Sequence, residues 1–120
     1  MKTLKNQTLL ARMANALAGL RHAVVSEHSL RFQLVVFALV LAALAALRPG
    51  ALWTALVLLA SGAVLAAELF NTALEALSDL LHPAQHPQIK IVKDCAAAAV
   101  LIASLAAVGV GLALAVHLIA

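Results

Sequence analysis

The stretch "AAELFNTALEALSDLL" (residues 66–81) closes a long apolar run and sets four polar side chains into it: Glu68, Asn71, Glu75 and Asp79. At about 100° per helical residue, these four fall within an arc of about 80° and form one stripe ~16 Å long. The uncharged run before it, Pro49 to Ala67, has the length of a membrane-crossing helix, so the stripe begins where lipid should be. An ionisable side chain inside a bilayer is costly and persists only against a partner or a polar cavity. Two glutamates on one face also repel each other unless something positive lies between them, and a divalent cation is the economical candidate.

The rest of the chain agrees with a membrane setting. With 65% hydrophobic and 11% charged residues in 120, and a mean hydropathy of +1.07, it lies far from soluble globular composition. Three uncharged stretches stand out: Phe32 to Leu47, Pro49 to Ala67, and Cys95 to Ala120, the last interrupted only by His117. A hydrocarbon core of ~30 Å takes about 20 helical residues, so the second and third fit and the first needs its flanks. The expected fold is all-α and integral to the membrane, with three transmembrane helices. Lys2, Lys5, Arg12, Arg21, Arg31, Lys90 and Lys93 precede the first span or lie between the second and third, and only Arg48 falls in the first connection. The positive-inside rule then puts the N-terminus and the 80–93 loop in the cytoplasm and the C-terminus outside, in a multi-pass protein of the inner, cytoplasmic membrane.

Several classes are excluded. Arg12 breaks the apolar core that a secretory signal would need ahead of "ALAG". The single Cys95 cannot form an intrachain disulfide and reads as a small packing residue. The basic residues are spread along membrane-flanking segments without a stacking platform, so anionic headgroups, not nucleic acid, are the partner the charge implies.

Residues 1–8 are polar and expected to fray. From residue 9, Leu10, Met13, Leu17, Leu20 and Val24 recur at steps of three and four, the pattern of an amphipathic helix over 9–28, with Arg12, Asn15 and His22 on its other side. Such a helix rests in the headgroup plane. "LRPGAL" (47–52) is a compact turn between the first two spans, and "HPAQHPQIK" (82–90) forms the cytoplasmic loop. Residues 1–120 make one domain, its spans contained in helices over 32–47, 50–80 and 93–118.

Only five carboxylates exist, three of them in the stripe. The others, Glu27 and Asp94, stand where adjoining helices meet the same boundary, with Arg21, Arg31, Lys90 and Lys93 beside them. Carboxylates suit Mg²⁺, which is usually held by one or two of them together with water and phosphate oxygens, and lysine and arginine suit phosphate. Phosphoryl transfer from a nucleotide to a membrane alcohol would need both beside lipid. The plainer alternative has Asp79 solvated at a helix end and Glu75 paired with Lys90 or Lys93. No GxxxxGK[ST] loop, kinase Gly-rich loop or HRD/DFG pair is present. His22, His28, His82, His86 and His117 form no metal-spaced cluster, and Trp53 and His117 read as interfacial residues.

Three segments, "GLRHAVVSEHSLR" (19–31), "AELFNTALEALSDLLHP" (67–83) and "KDCAAAAVL" (93–101), resemble the small prokaryotic diacylglycerol kinase family, which includes the undecaprenol kinases. The resemblance implies a homotrimer of three-span subunits that phosphorylates a lipid hydroxyl with MgATP at the cytoplasmic interface. By this similarity Glu68 matches the family's catalytic base. Glu27 and Glu75 match its metal-binding carboxylates, which also belong to the nucleotide site. Lys93 and Asp94 match nucleotide contacts, Asn71 a polar active-site residue and Asp79 a further acid near the site. The chain departs from many relatives after the Arg of the first motif, where "RFQLV" places Gln33 instead of a charged or imidazole side chain. The implied product is phosphatidate from diacylglycerol, with undecaprenyl phosphate as the alternative. Readings from other classes are a small cation-coupled transporter and a non-catalytic assembly subunit.

Overall fold

A computed structural model describes residues 6–120 and contains four helices: α1 (Leu9–Ser26), α2 (His28–Leu47), α3 (Ala51–Leu81) and α4 (Pro87–Ile119). Residues 1–5, and with them Lys2 and Lys5, lie outside the described residues. No strand occurs among the described residues, and α2, α3 and α4 are each long and apolar enough to cross a membrane. Large apolar side chains cover their outer faces, with Leu39 65%, Leu59 73% and Leu105 61% exposed, a surface that only lipid or another apolar partner could cover.

α1 starts at a hydroxyl cap: the Thr8 side chain accepts from Ala11 N–H at 3.2 Å. Asn15 Nδ2 donates to Gln7 Oε1 at 2.8 Å, so residues 7 and 8 are tied to the helix and not frayed as the sequence suggests. Its apolar stripe is not buried by the rest of the chain, since Leu10, Met13 and Leu17 are exposed. An exposed apolar stripe of this kind is what a helix resting on a membrane surface would present to the lipid. The helix ends at Glu27, short of residue 28, because the backbone there swings to φ −114°, ψ 114° before α2 begins. Arg31 holds the corner: its Nη1 donates to the carbonyls of Val24 and Val25 at 2.9 and 2.8 Å, covering acceptors that a helix end leaves open. α2 therefore starts at His28, ahead of the first uncharged residue Phe32.

The α2–α3 turn uses two left-handed residues. Gly50 takes φ 102°, as its lack of a side chain allows, and Arg48 takes φ 47° as the C-cap of α2. The second connection is shorter than the sequence suggests. α4 begins at Pro87, well before residue 93, because proline is well placed in a first helical turn where its missing N–H costs nothing. His86 completes the start, its Nδ1 accepting from Gln88 N–H at 3.1 Å.

α3 and α4 pack most extensively, antiparallel, and contacts at both ends pin their register. At the polar end Lys93 reaches Asp79; at the other, the Trp53 and His117 rings lie 5.3 Å apart. Val57, Val64, Glu68 and Ser78 are the buried residues of α3, and they fall within about 80° of one another. The polar stripe is thus the continuation of the packing face and not a lipid-facing feature. On α4 it is Ala96 that is buried, while Cys95 is exposed, so the packing role expected of Cys95 falls to its neighbour.

Candidate functional site

A helix rises 1.5 Å per residue, so the 31 residues of α3 exceed a ~30 Å hydrocarbon core. Counted from Ala51, Glu68 stands about 26 Å along, just inside the far boundary, and Glu75 and Asp79 lie at about 36 and 42 Å, in the headgroup layer. One helix face thereby carries polar chemistry from the edge of the lipid core into water.

Among the described residues Glu68 is the most deeply buried ionisable group, only 5% exposed. A buried charge needs a hydrogen-bond partner, and this one comes from another helix: Ser29 Oγ, at the start of α2, donates to Glu68 Oε1 at 2.8 Å. On α3 itself, Thr72 Oγ1 donates to the Glu68 backbone carbonyl at 3.0 Å, which gives that hydroxyl a partner on the same face. Sequence reasoning missed Ser29. The available signal was a lone hydroxyl two residues after Glu27, at the mouth of an apolar run, but its partner lies 39 residues away.

One turn further on, Asn71 Nδ2 donates to Glu75 Oε1 at 3.3 Å. This fixes the amide orientation and leaves Asn71 Oδ1 buried with no hydrogen-bond partner. It is the amide nitrogen that faces Glu75, and the unpartnered Oδ1 on the same side chain is a buried acceptor suited to a hard cation or a hydroxyl proton. Among the described residues no cluster of three or more His, Cys, Asp or Glu side chains could hold a metal unaided. Mg²⁺ fits such a site, since it typically takes one or two protein oxygens and completes its octahedron with water and phosphate.

The charged residues of the outer layer are paired among themselves. Lys93 Nζ donates to Asp79 Oδ1 at 2.6 Å between α4 and α3, and Lys90 Nζ to Asp94 Oδ2 at 2.5 Å within α4. Glu75 is bonded to Asn71 and to neither lysine, and Asp79, though exposed, is held by Lys93; the plainer alternative assigned both differently. All four side chains of these two pairs are well exposed, so each pair is worth at most about 1 kcal/mol and is easily exchanged for another ligand. Arg31 is engaged with the end of α1. Glu27 sits at the α1–α2 corner, half-buried, and its carboxylate makes no capping hydrogen bond. The fold therefore gathers Glu68, Asn71, Glu75 and Asp79 on α3, with Lys93 against Asp79 at its outer end. Asp94 points away on α4 toward Lys90, about 100° around the helix from Lys93.

The His82 and His86 rings lie 4.9 Å apart in the α3–α4 connection, which also lines a cavity of about 620 Å³ together with Lys90, Lys93 and Asp94. This cavity opens on the same end of the bundle as the acidic stripe.

The profile for prokaryotic diacylglycerol kinase matches residues 14–115. A protein of Synechocystis sp. named diacylglycerol kinase is 39% identical over 104 residues, which is 86% of this chain and 59% of that protein. The chain thus spans about three fifths of the length of this relative. No solved structure gives a significant match. The matched segment takes in α2 and α3, nearly all of α4, the acidic stripe and the lysine facing it, and on this footing the chain belongs to the prokaryotic diacylglycerol kinase family.

Proposed function

We propose that the protein is a lipid kinase that transfers the γ-phosphoryl group of MgATP to the hydroxyl of diacylglycerol, giving phosphatidate at the cytoplasmic face of the inner membrane. The observation that carries this reading is a buried carboxylate at the edge of the lipid core, held by a neighbouring hydroxyl, with an unpartnered oxygen one turn shallower on the same face of α3 and, further out, a lysine of α4 against Asp79.

In this reading a lipid alcohol enters from the bilayer with its hydroxyl at the level of Glu68. One carboxylate oxygen is taken by Ser29, and Oε2 receives no hydrogen bond from a described residue. Glu68 accepts the hydroxyl proton through Oε2 as the alcohol oxygen attacks the γ-phosphorus; the bond to the β–γ bridging oxygen breaks and ADP leaves. The proton passes from Glu68 to water after the product departs. Lys93 leaves Asp79 to contact the nucleotide phosphates, and Asp94 contributes at the nucleotide's edge. Glu75, with Asn71 Oδ1 beside it, and Glu27 would hold Mg²⁺. When bound, Mg²⁺ neutralises phosphate charge that Lys93 alone cannot. The N-terminus and the 80–93 loop face the cytoplasm, and three copies assemble as a homotrimer. Family membership removes the support for a cation-coupled transporter or a non-catalytic assembly subunit.

The name of the Synechocystis relative favours diacylglycerol over undecaprenol as substrate. Purified protein in detergent micelles, given labelled ATP with each lipid in parallel, tests the assignment. Labelled phosphatidate is the expected product; label in undecaprenyl phosphate alone would move the assignment to the polyprenol, and label in neither lipid would overturn the kinase reading.

A further inference from the structure

The geometry points to Ser29 as a positioning residue, which sets the carboxylate of Glu68 in its reactive orientation and ties that orientation to the seating of the surface helix. This rests on the reading of Glu68 as the base and adds to it a residue that no motif of the sequence singles out.

A glutamate has three side-chain torsions, and a base must present one lone pair to one proton. Burial alone does not choose the torsions. The hydrogen bond from Ser29 Oγ to Glu68 Oε1, at 2.8 Å, takes one oxygen out of play and leaves Oε2 without a hydrogen bond from a described residue. Among the described residues it is the side-chain hydrogen bond that joins α2 to the buried face of α3. The donor is itself fixed from both sides along the chain. Leu30, the next residue, is fully buried, and Arg31, the one after, grips the carbonyls of Val24 and Val25 at the end of α1. Ala23, one turn back on α1, is buried at 3% exposure. A shift of α1 on the membrane surface is therefore transmitted through a four-residue corner to the donor, and from it to the carboxylate.

Ser29 touches no reacting atom, so its contribution is separable from that of Glu68. Ser29→Ala removes the donor with almost no change in volume. A misplacement of about 1 Å can cost on the order of 10²-fold in rate, so kcat should fall about 10- to 100-fold while the KM for MgATP stays within about twofold. Ser29→Thr keeps the hydroxyl and should recover most of the rate. In a Glu68→Gln background the same Ser29→Ala change should have almost no further effect, because its partner's role is already gone.

The experiment is steady-state lipid phosphorylation by the full-length wild type, the two Ser29 variants, Glu68→Gln and the Ser29→Ala/Glu68→Gln double variant, with thermal midpoints in the same micelles. A kcat loss rescued by threonine and absent from the Glu68→Gln background supports the assignment. Wild-type kcat in Ser29→Ala, or a loss of equal size in both backgrounds, overturns it while leaving the kinase reading intact. Near-normal turnover by Glu68→Gln would instead remove the base on which the inference rests.

Discussion

Lys93 and Asp79 join α4 to α3 at the polar end of the molecule, the lysine Nζ standing 2.6 Å from the aspartate Oδ1. The pair is exposed, with 39% of the lysine side chain and 64% of the aspartate side chain open to solvent, so it is weak enough to open when a stronger anion arrives. In the proposed reading, where Lys93 binds the nucleotide phosphates, Asp79 is its resting partner.

Asp79→Asn should therefore lower the KM for MgATP, by up to about fivefold if the pair is worth as much as ~1 kcal/mol. Lys93→Met should raise it, with the thermal midpoint nearly unchanged in both. Steady-state kinetics with varied MgATP checks this, and an Asp79→Asn variant with raised KM would show that Asp79 itself serves the nucleotide.

In the proposed reading Glu75 and Asn71 Oδ1 are ligands of Mg²⁺, the amide nitrogen of Asn71 meanwhile holding Glu75 Oε1. Glu75→Gln keeps the shape and the hydrogen-bonding capacity but removes the charge. The free Mg²⁺ needed for half-maximal rate should rise at least the ~10-fold that loss of even an outer-shell partner typically costs. Titrating Mg²⁺ at saturating ATP measures it; an unchanged curve would take Glu75 out of the ligand set.

The corner at Glu27 depends on Arg31, whose two hydrogen bonds to the end of α1 are exposed and worth about 1 kcal/mol each. Arg31→Met should reduce lipid phosphorylation by up to about tenfold and leave helix content by circular dichroism unchanged, because the three spans hold their length without α1. Wild-type activity in this variant would mean that the seating of the surface helix does not reach the site.

The spans and the stripe were legible in the sequence because both rest on period and hydropathy, which are local. The start of α4 was not, since "HPAQHP" reads as a loop until His86 and Pro87 are recognised as an N-cap and a first helical residue. The stripe also showed where carboxylates gather, but not how they pair. Whether Lys93 meets Glu75 or Asp79 depends on the α3–α4 register, which the Trp53–His117 contact at the far end helps to set. Ser29 escaped notice for the same reason, its role being defined wholly by a residue on another helix.

The central claim is that the buried carboxylate of Glu68 takes the proton from a lipid hydroxyl. Glu68→Gln keeps the side-chain size and can still accept from Ser29, so the packing of α3 should survive and nucleotide binding by calorimetry should stay near wild type. Loss of a general base typically costs about 10²- to 10⁴-fold, and the account predicts a fall in kcat of that order for diacylglycerol phosphorylation in the same micelles. A Glu68→Gln protein that binds MgATP and turns over at close to the wild-type rate would contradict it.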